Sequence, residues 1–167
     1  MNRLTPRAIK ATAHHEAGHA VMAFQLGVNV RGITIIPDHE SAGSCLHEGL
    51  LKFQGKELVT SPTARIKMEK LILICLAGPL AQRKFKPRSV RRYHAGSDYS
   101  AVANVALSMN GSTEQANAYI RWLEIRVKEQ LYTSMTWRFV EAVASELIKN
   151  KEINGKSLPS IFAKMIR

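Results

Sequence analysis

The chain of 167 residues carries a net charge of +11 and has 46% apolar and 22% charged residues, a balance that indicates one globular domain and excludes a disordered chain. Its two cysteines exclude a disulfide framework, so we expect free thiols and a cytoplasmic location. The longest apolar run, residues 71–81, is shorter than the ~20 residues that span a bilayer, and the N-terminus lacks a secretory signal, so we expect no transmembrane segment.

Capping residues and turn residues divide the chain into short elements. Thr5 followed by Pro6 favours a helix start, Ser61 followed by a proline favours a second one, and Ser112 resembles the first residue of a capping box. β-branched residues before Pro37 predict a strand. The predicted elements are helix 7–26, strand 30–36, loop 38–43, strand 44–47, helix 62–80, helix 98–109 capped by Ser97, helix 113–131 and helix 136–150.

These elements predict a mainly α fold of the α+β class. We expect about five helices, with a small β-sheet or hairpin after the first helix. The helix over residues 62–80 is apolar on nearly all its faces, which predicts that it is the buried central helix. No repeat or linker divides the sequence, so we expect a single domain over residues 1–167.

Positive charge is concentrated in the middle of the chain. No acidic residue lies between Lys70 and Ser97. A basic cluster of this kind is typical of a solvated loop, and it is also compatible with binding to nucleic acid, acidic lipid or an acidic protein segment. No RNA-binding motif with interleaved aromatic residues accompanies it, so nucleic acid is the weaker partner. The cluster consists of Arg83, Lys84, Lys86, Arg88, Arg91 and Arg92.

The sequence HHEAGH at residues 14–19 contains an H-E-x-x-H motif. His15 and His19 are four residues apart, which places both imidazoles on one face of a helix where they can bind one metal ion. Glu16 follows the first histidine and suits a general base that takes the proton of a water activated by zinc. Gly18 leaves room for a close neighbour. His14 points about 100° away from His15, which favours a structural role, or a supporting role behind a ligand, over binding the metal itself.

A catalytic zinc ion needs a third protein ligand and one open position. Asp98 stands out because it begins a predicted helix in a region without other acids. An aspartate in the first turn of a helix is equally explained by the helix dipole, so residue type alone leaves the choice open. Other candidate ligands are Asp38, His39, Cys45, His47 and His94. The nearby candidates for an oxyanion donor are Tyr93, His94 and Tyr99.

The motif and its surroundings resemble the peptidase domain of the FtsH-type, membrane-associated ATP-dependent zinc proteases. The similarity begins with TAHHEAGHAVMAFQLG and VRGITIIP, at residues 12–27 and 30–37, and continues with LILICLAGPLA at residues 71–81. It extends through AGSDYSAVANVALSMNG at residues 95–111 and ELIKNKEINGKSL at residues 146–158. The resemblance covers nearly the whole chain, and HEAGH is its most specific part.

The resemblance implies a zincin-like fold and a zinc-dependent metalloendopeptidase that hydrolyses unfolded or flexible polypeptides. By position, it implies that His15, His19 and Asp98 bind zinc and that Glu16 is the general base. It also implies a sheet edge near the site, to which an extended peptide adds as a further strand. The residues implied at that edge are Ile33, Thr34, Ile35 and Ile36.

The sequence also departs from the family. It contains no G-x-x-x-x-G-K-[ST] phosphate loop, so we expect no ATPase of its own and a separate unfoldase as partner. Where the family often has acidic residues, this chain has Pro79, Gln82 and Arg83. These departures favour an alternative function, a catalytically weak or inactive zinc-containing regulatory module that binds an acidic partner through Arg83–Arg92.

Overall fold

The computed structural model describes residues 5–37, 42–47, 61–87 and 96–166, and it confirms a mainly helical fold with a small antiparallel sheet. The predicted loop over residues 38–43 lies mostly outside the described residues. The elements are, in chain order, α1 (Pro6–Gln25), β1 (Val30–Thr34), β2 (Ser44–His47), α2 (Pro62–Phe85), α3 (Gly96–Met109), α4 (Thr113–Leu131), α5 (Ser134–Asn150), β3 (Glu152–Asn154) and α6 (Leu158–Ile166).

Helix α1 begins and ends within one residue of its prediction. The Thr5 hydroxyl accepts a hydrogen bond from the Ala8 N–H at 3.2 Å, which satisfies one of the donors left free at a helix start. Gly27 follows the helix with a φ of 68°, in the left-handed region that glycine adopts without a steric cost. These two residues therefore fix the length of the helix that carries the histidines.

Helix α2 is the buried centre of the fold, as its apolar sequence predicts. Every residue from Leu71 to Ala81 is buried. The predicted end at Leu80 is wrong, because the helix continues to Phe85. Pro79 removes one backbone hydrogen bond inside the helix, and the burial of its apolar neighbours offsets that loss. In the described part of the chain, no helix is long and apolar enough to cross a membrane.

The sheet has the strand order β2-β1-β3, so β1 lies in its middle. Ile33 pairs with Cys45 on one side and with Ile153 on the other, both antiparallel. The edge position predicted for Ile33–Ile36 is therefore wrong. Strand β1 also ends at Thr34, two residues earlier than predicted. Strand β1 is central because β3, from the far end of the chain, pairs with the side of β1 that the local sequence pattern leaves open.

The C-terminal half differs from its prediction in three places. Helix α3 begins at Gly96, so Ser97 lies in its first turn and does not cap it. Helix α5 begins at Ser134 and is capped by Thr133, whose hydroxyl accepts the Thr136 N–H at 3.3 Å. Strand β3 and helix α6 are absent from the prediction, because elements of three and nine residues are too short for a periodic pattern to stand out.

Gly18 sets how closely α1 and α2 pack. A Cβ atom at this position would lie 2.6 Å from both the Ala77 carbonyl oxygen and the Ala81 Cβ. These neighbours belong to a buried helix and cannot swing aside as the end of a long side chain can. The two helices therefore cross almost backbone to backbone, and this contact brings the histidine face of α1 against α2.

Replacing Gly18 by alanine should destabilise the fold, because the added methyl group overpacks this crossing. We expect a loss of about 1–3 kcal/mol in the free energy of unfolding, typical of overpacked cores. Chemical denaturation of Gly18→Ala beside Gly32→Ala measures the effect, since a Cβ at Gly32 meets only the Ile153 carbonyl oxygen at 3.7 Å. Equal stability of Gly18→Ala and the parent would contradict this description of the crossing.

Candidate metal centre

Two histidines of α1 and one aspartate of α3 meet between the two helices. His15 and His19 lie one turn apart, and their Nε2 atoms are 3.0 Å from each other. The Asp98 carboxylate, from the first turn of α3, places one oxygen 3.0 Å from His15 Nε2 and 3.5 Å from His19 Nε2. The three residues predicted as ligands from the resemblance thus form one cluster, and this cluster can hold a metal ion.

The spacing of the three atoms fits a small divalent ion. Ligand atoms about 2.0–2.2 Å from a tetrahedral zinc ion lie roughly 3.3 Å apart. The observed separations of 3.0, 3.0 and 3.5 Å bracket that value. Two imidazole nitrogens and one carboxylate oxygen are also donors that zinc accepts, and three protein ligands leave a fourth position open.

Helix α2 fixes the orientation of both imidazole rings. His19 donates a hydrogen bond from Nδ1 to the Ile74 carbonyl oxygen at 2.7 Å. His15 donates from Nδ1 to the Gln82 side-chain oxygen at 3.0 Å. Because each Nδ1 carries the proton in the neutral ring, each Nε2 keeps its lone pair free for a metal. Gln82 has no role in the sequence prediction, where it is only a departure from the family.

The cluster attracts positive charge. Burial by itself lowers the pKa of His19, but the Asp98 carboxylate, the Glu16 charge and the hydrogen bond to Ile74 together raise that pKa to about 9. Burial acts to raise the pKa of the Asp98 carboxyl, whereas the charge of His19 and hydrogen bonds from both histidines bring it well below its usual range. A cation placed among these three groups therefore meets a favourable potential.

A cleft of about 530 Å³ opens beside the cluster, and Glu16 lines it together with the three candidate ligands. Glu16 is 6% exposed, and burial raises the pKa of its carboxyl, opposed by the nearby histidines. Strand β2 forms part of the wall through Ser44, Cys45 and His47. The cleft thus combines a candidate metal centre, a buried carboxylate and the strand next to β1.

Among the described residues, the other candidates take no part in the cluster. Cys45 and His47 line the cleft but lie outside the three-residue group, and burial raises the pKa of the Cys45 thiol. Within the described ranges, His47 Nδ1 is buried without a hydrogen-bond partner. The hydroxyl of Tyr99 accepts a hydrogen bond from Arg83 at 3.1 Å. The remaining candidates lie outside the described residues: Asp38, His39, Tyr93 and His94.

His14 has the structural role that its position on α1 predicts. Its ring stacks on Phe85, with the ring centroids 3.7 Å apart, and its Nδ1 donates to the Lys10 carbonyl oxygen at 2.7 Å. Burial lowers the pKa of His14, which keeps the ring neutral. The residue therefore helps to join α1 to the end of α2.

No protein-family model matches the chain, and no curated protein matches its sequence. The role of the site therefore rests on its own geometry and on the chemistry of its side chains. That geometry combines three converging ligand atoms, a buried glutamate and a cleft that reaches both.

Removing the acceptor at Gln82 should weaken metal binding. Gln82→Leu leaves the His15 Nδ1–H without this hydrogen bond, and losses of this kind typically lower metal affinity by about 10–100-fold. Gln82→Glu keeps an acceptor oxygen and should retain the affinity of the parent. Competition with a chromogenic zinc chelator measures both variants, and parental affinity in Gln82→Leu would show that α2 does not orient His15.

Proposed function

We propose that the chain is a zinc-dependent metalloendopeptidase of the FtsH type, with His15, His19 and Asp98 as zinc ligands. The observation that carries this proposal is the convergence of the three ligand atoms within 3.5 Å of one another, beside the buried Glu16 in one cleft. The resemblance of the HEAGH helix and of the Asp98 helix to the FtsH-type peptidases supports the same assignment.

Zinc, when bound, would polarise the scissile carbonyl and lower the pKa of water toward ~7. Glu16 then accepts the proton of the attacking water and passes it to the nitrogen of the departing amine. Burial suits Glu16 to this task, because it raises the pKa of the carboxyl above its usual range and makes the carboxylate a stronger proton acceptor. Asp98 and the two histidines stay in place as ligands.

We infer that the substrate is an extended polypeptide, in an unfolded or flexible segment. Among the described strands β2 is the outer one beside the cleft, and it takes the place that the resemblance assigns to β1. A peptide strand that adds to an outer strand gains main-chain hydrogen bonds, which tolerate many side chains. A folded protein offers no such free strand. In the cytoplasm, a separate unfoldase would therefore have to unfold it before cleavage.

A regulatory or binding module without useful proteolysis is the second candidate. It is favoured by the basic cluster predicted at Arg83–Arg92, of which Arg83 is exposed on α2 and residues 88–92 lie outside the described residues. In this alternative the centre would bind zinc for structural reasons, and the basic surface would hold an acidic partner. Cleavage of casein by the purified chain separates the two candidates, because only the peptidase predicts products.

Glu16→Gln should abolish peptide hydrolysis and keep the zinc ion. Glutamine matches glutamate in shape but cannot take a proton from water, so we expect casein cleavage to fall by about 10²-fold or more. Zinc content per chain, measured on the same sample, provides the control. Parental turnover in Glu16→Gln would remove this residue as the base, and cleavage absent from both proteins would favour the regulatory module.

A further inference from the structure

A second groove lies between the last turns of α2 and the outer face of α4, away from the metal centre. Its volume is about 290 Å³, and none of its lining residues lines the metal cleft. Leu80, Ile125 and Tyr132 supply an apolar floor. The groove is therefore a separate surface feature, built on the C-terminal half of the helix that orients the two histidines.

The rim of this groove is positively charged. Arg83, Arg121 and Lys128 line it, against a single carboxylate, that of Glu124. Arg83 contacts Glu124 at 3.5 Å, and both side chains are partly exposed, so this ion pair is weak and exchanges easily. Arg121 and Lys128 are exposed, and within the described ranges neither pairs with a carboxylate. The groove thus presents positively charged side chains that can pair with the carboxylates of a binding partner.

One apolar side chain of the groove is open to water. Ile125 is 58% exposed, and Trp122, three residues earlier on the same helix, is 54% exposed. On the opposite face of α4, Leu123 and Val127 are fully buried in the core. Helix α4 therefore presents Trp122 and Ile125 as apolar side chains that the core does not use, next to the cations Arg121 and Lys128.

We propose that this groove, the α2–α4 groove, binds an acidic polypeptide segment that carries at least one large apolar side chain. Its carboxylates meet Arg121 and Lys128, and its apolar side chain covers Ile125 on the floor. The charges select an acidic chain, and the exposed isoleucine gives it an anchor that charge alone does not provide. The proposal is independent of the metal centre and of peptidase activity.

The aromatic residues of this surface favour a polypeptide over nucleic acid. Tyr132 donates its hydroxyl to the Leu80 carbonyl oxygen, and the Lys84 ammonium lies 4.6 Å from the centre of its ring. The ring of Trp122 stacks against Tyr119, with Arg126 5.7 Å from its centre. Unpaired bases bind to free aromatic faces, and Tyr132, the aromatic residue that lines the groove, is already partly covered.

Fluorescence anisotropy with a labelled, blocked peptide of the sequence Glu-Asp-Leu-Glu-Asp-Leu-Glu tests the proposal. The parent protein should bind it saturably, and the affinity should fall as ionic strength rises. The double variant Arg121→Glu/Lys128→Glu should bind roughly tenfold or more weakly, because two charge-assisted contacts become repulsive. Ile125→Ser, which leaves the charge unchanged, should also weaken binding. All three positions are exposed, so the thermal unfolding of the variants should match the parent.

The matched control is Lys67→Glu/Lys164→Glu, which changes the net charge equally at two exposed positions outside the groove. It should bind the peptide as the parent does. Equal weakening by both double variants would reduce the interaction to general charge attraction and overturn the proposal. So would an unchanged affinity in Ile125→Ser, a lack of saturable binding by the parent, or displacement of the peptide by single-stranded RNA at lower concentration.

Discussion

Two imidazole nitrogens and one carboxylate oxygen converge within 3.5 Å in a buried place, and the rest of the site depends on that convergence. Lone pairs at such a separation repel one another unless a positive charge lies among them. The pKa of His19 is raised for the same reason, because a proton on this ring places a positive charge next to the carboxylate. A divalent ion meets it more fully, because it contacts all three atoms at once.

Helix α2 makes this convergence possible, although it contributes no ligand. Its Ile74 carbonyl and Gln82 side chain accept the Nδ1 protons of the two histidines, which turns both Nε2 atoms toward Asp98. Gly18 and Gly78 allow the close approach, since a Cβ at position 78 would overlap the His19 ring. The buried helix α2 therefore holds a hydrogen-bond acceptor behind each of the two histidines.

Local sequence signals predict the elements with strong caps or strong periodicity. Helix α1 and the buried centre of α2 are confirmed, because Thr5, Gly27 and the continuous apolar run each act on their own neighbourhood. The pair His15 and His19 follows from helix geometry alone. Asp98 required the resemblance, since an aspartate in a first helical turn has a sufficient local explanation.

What the sequence could not reveal depends on contacts between distant parts of the chain. β1 is wrongly predicted as an edge, because β3 pairs with it from the far end of the chain. Gln82 escapes notice for the same reason, since only the fold brings it to His15, 67 positions away in sequence. The α2–α4 groove also forms only when the two helices pack together. The sequence lists its arginines and its lysine but does not show that they line one groove.

The metal content of the purified chain tests the central claim most directly. Elemental analysis of the parent, Asp98→Ala and His47→Ala compares the candidate ligand Asp98 with a histidine that lines the same cleft outside the cluster. We expect about one zinc ion per chain in the parent and in His47→Ala, and a marked loss in Asp98→Ala. A parent that holds no zinc after incubation with the metal, or an Asp98→Ala variant that retains it fully, would contradict a zinc site at His15, His19 and Asp98.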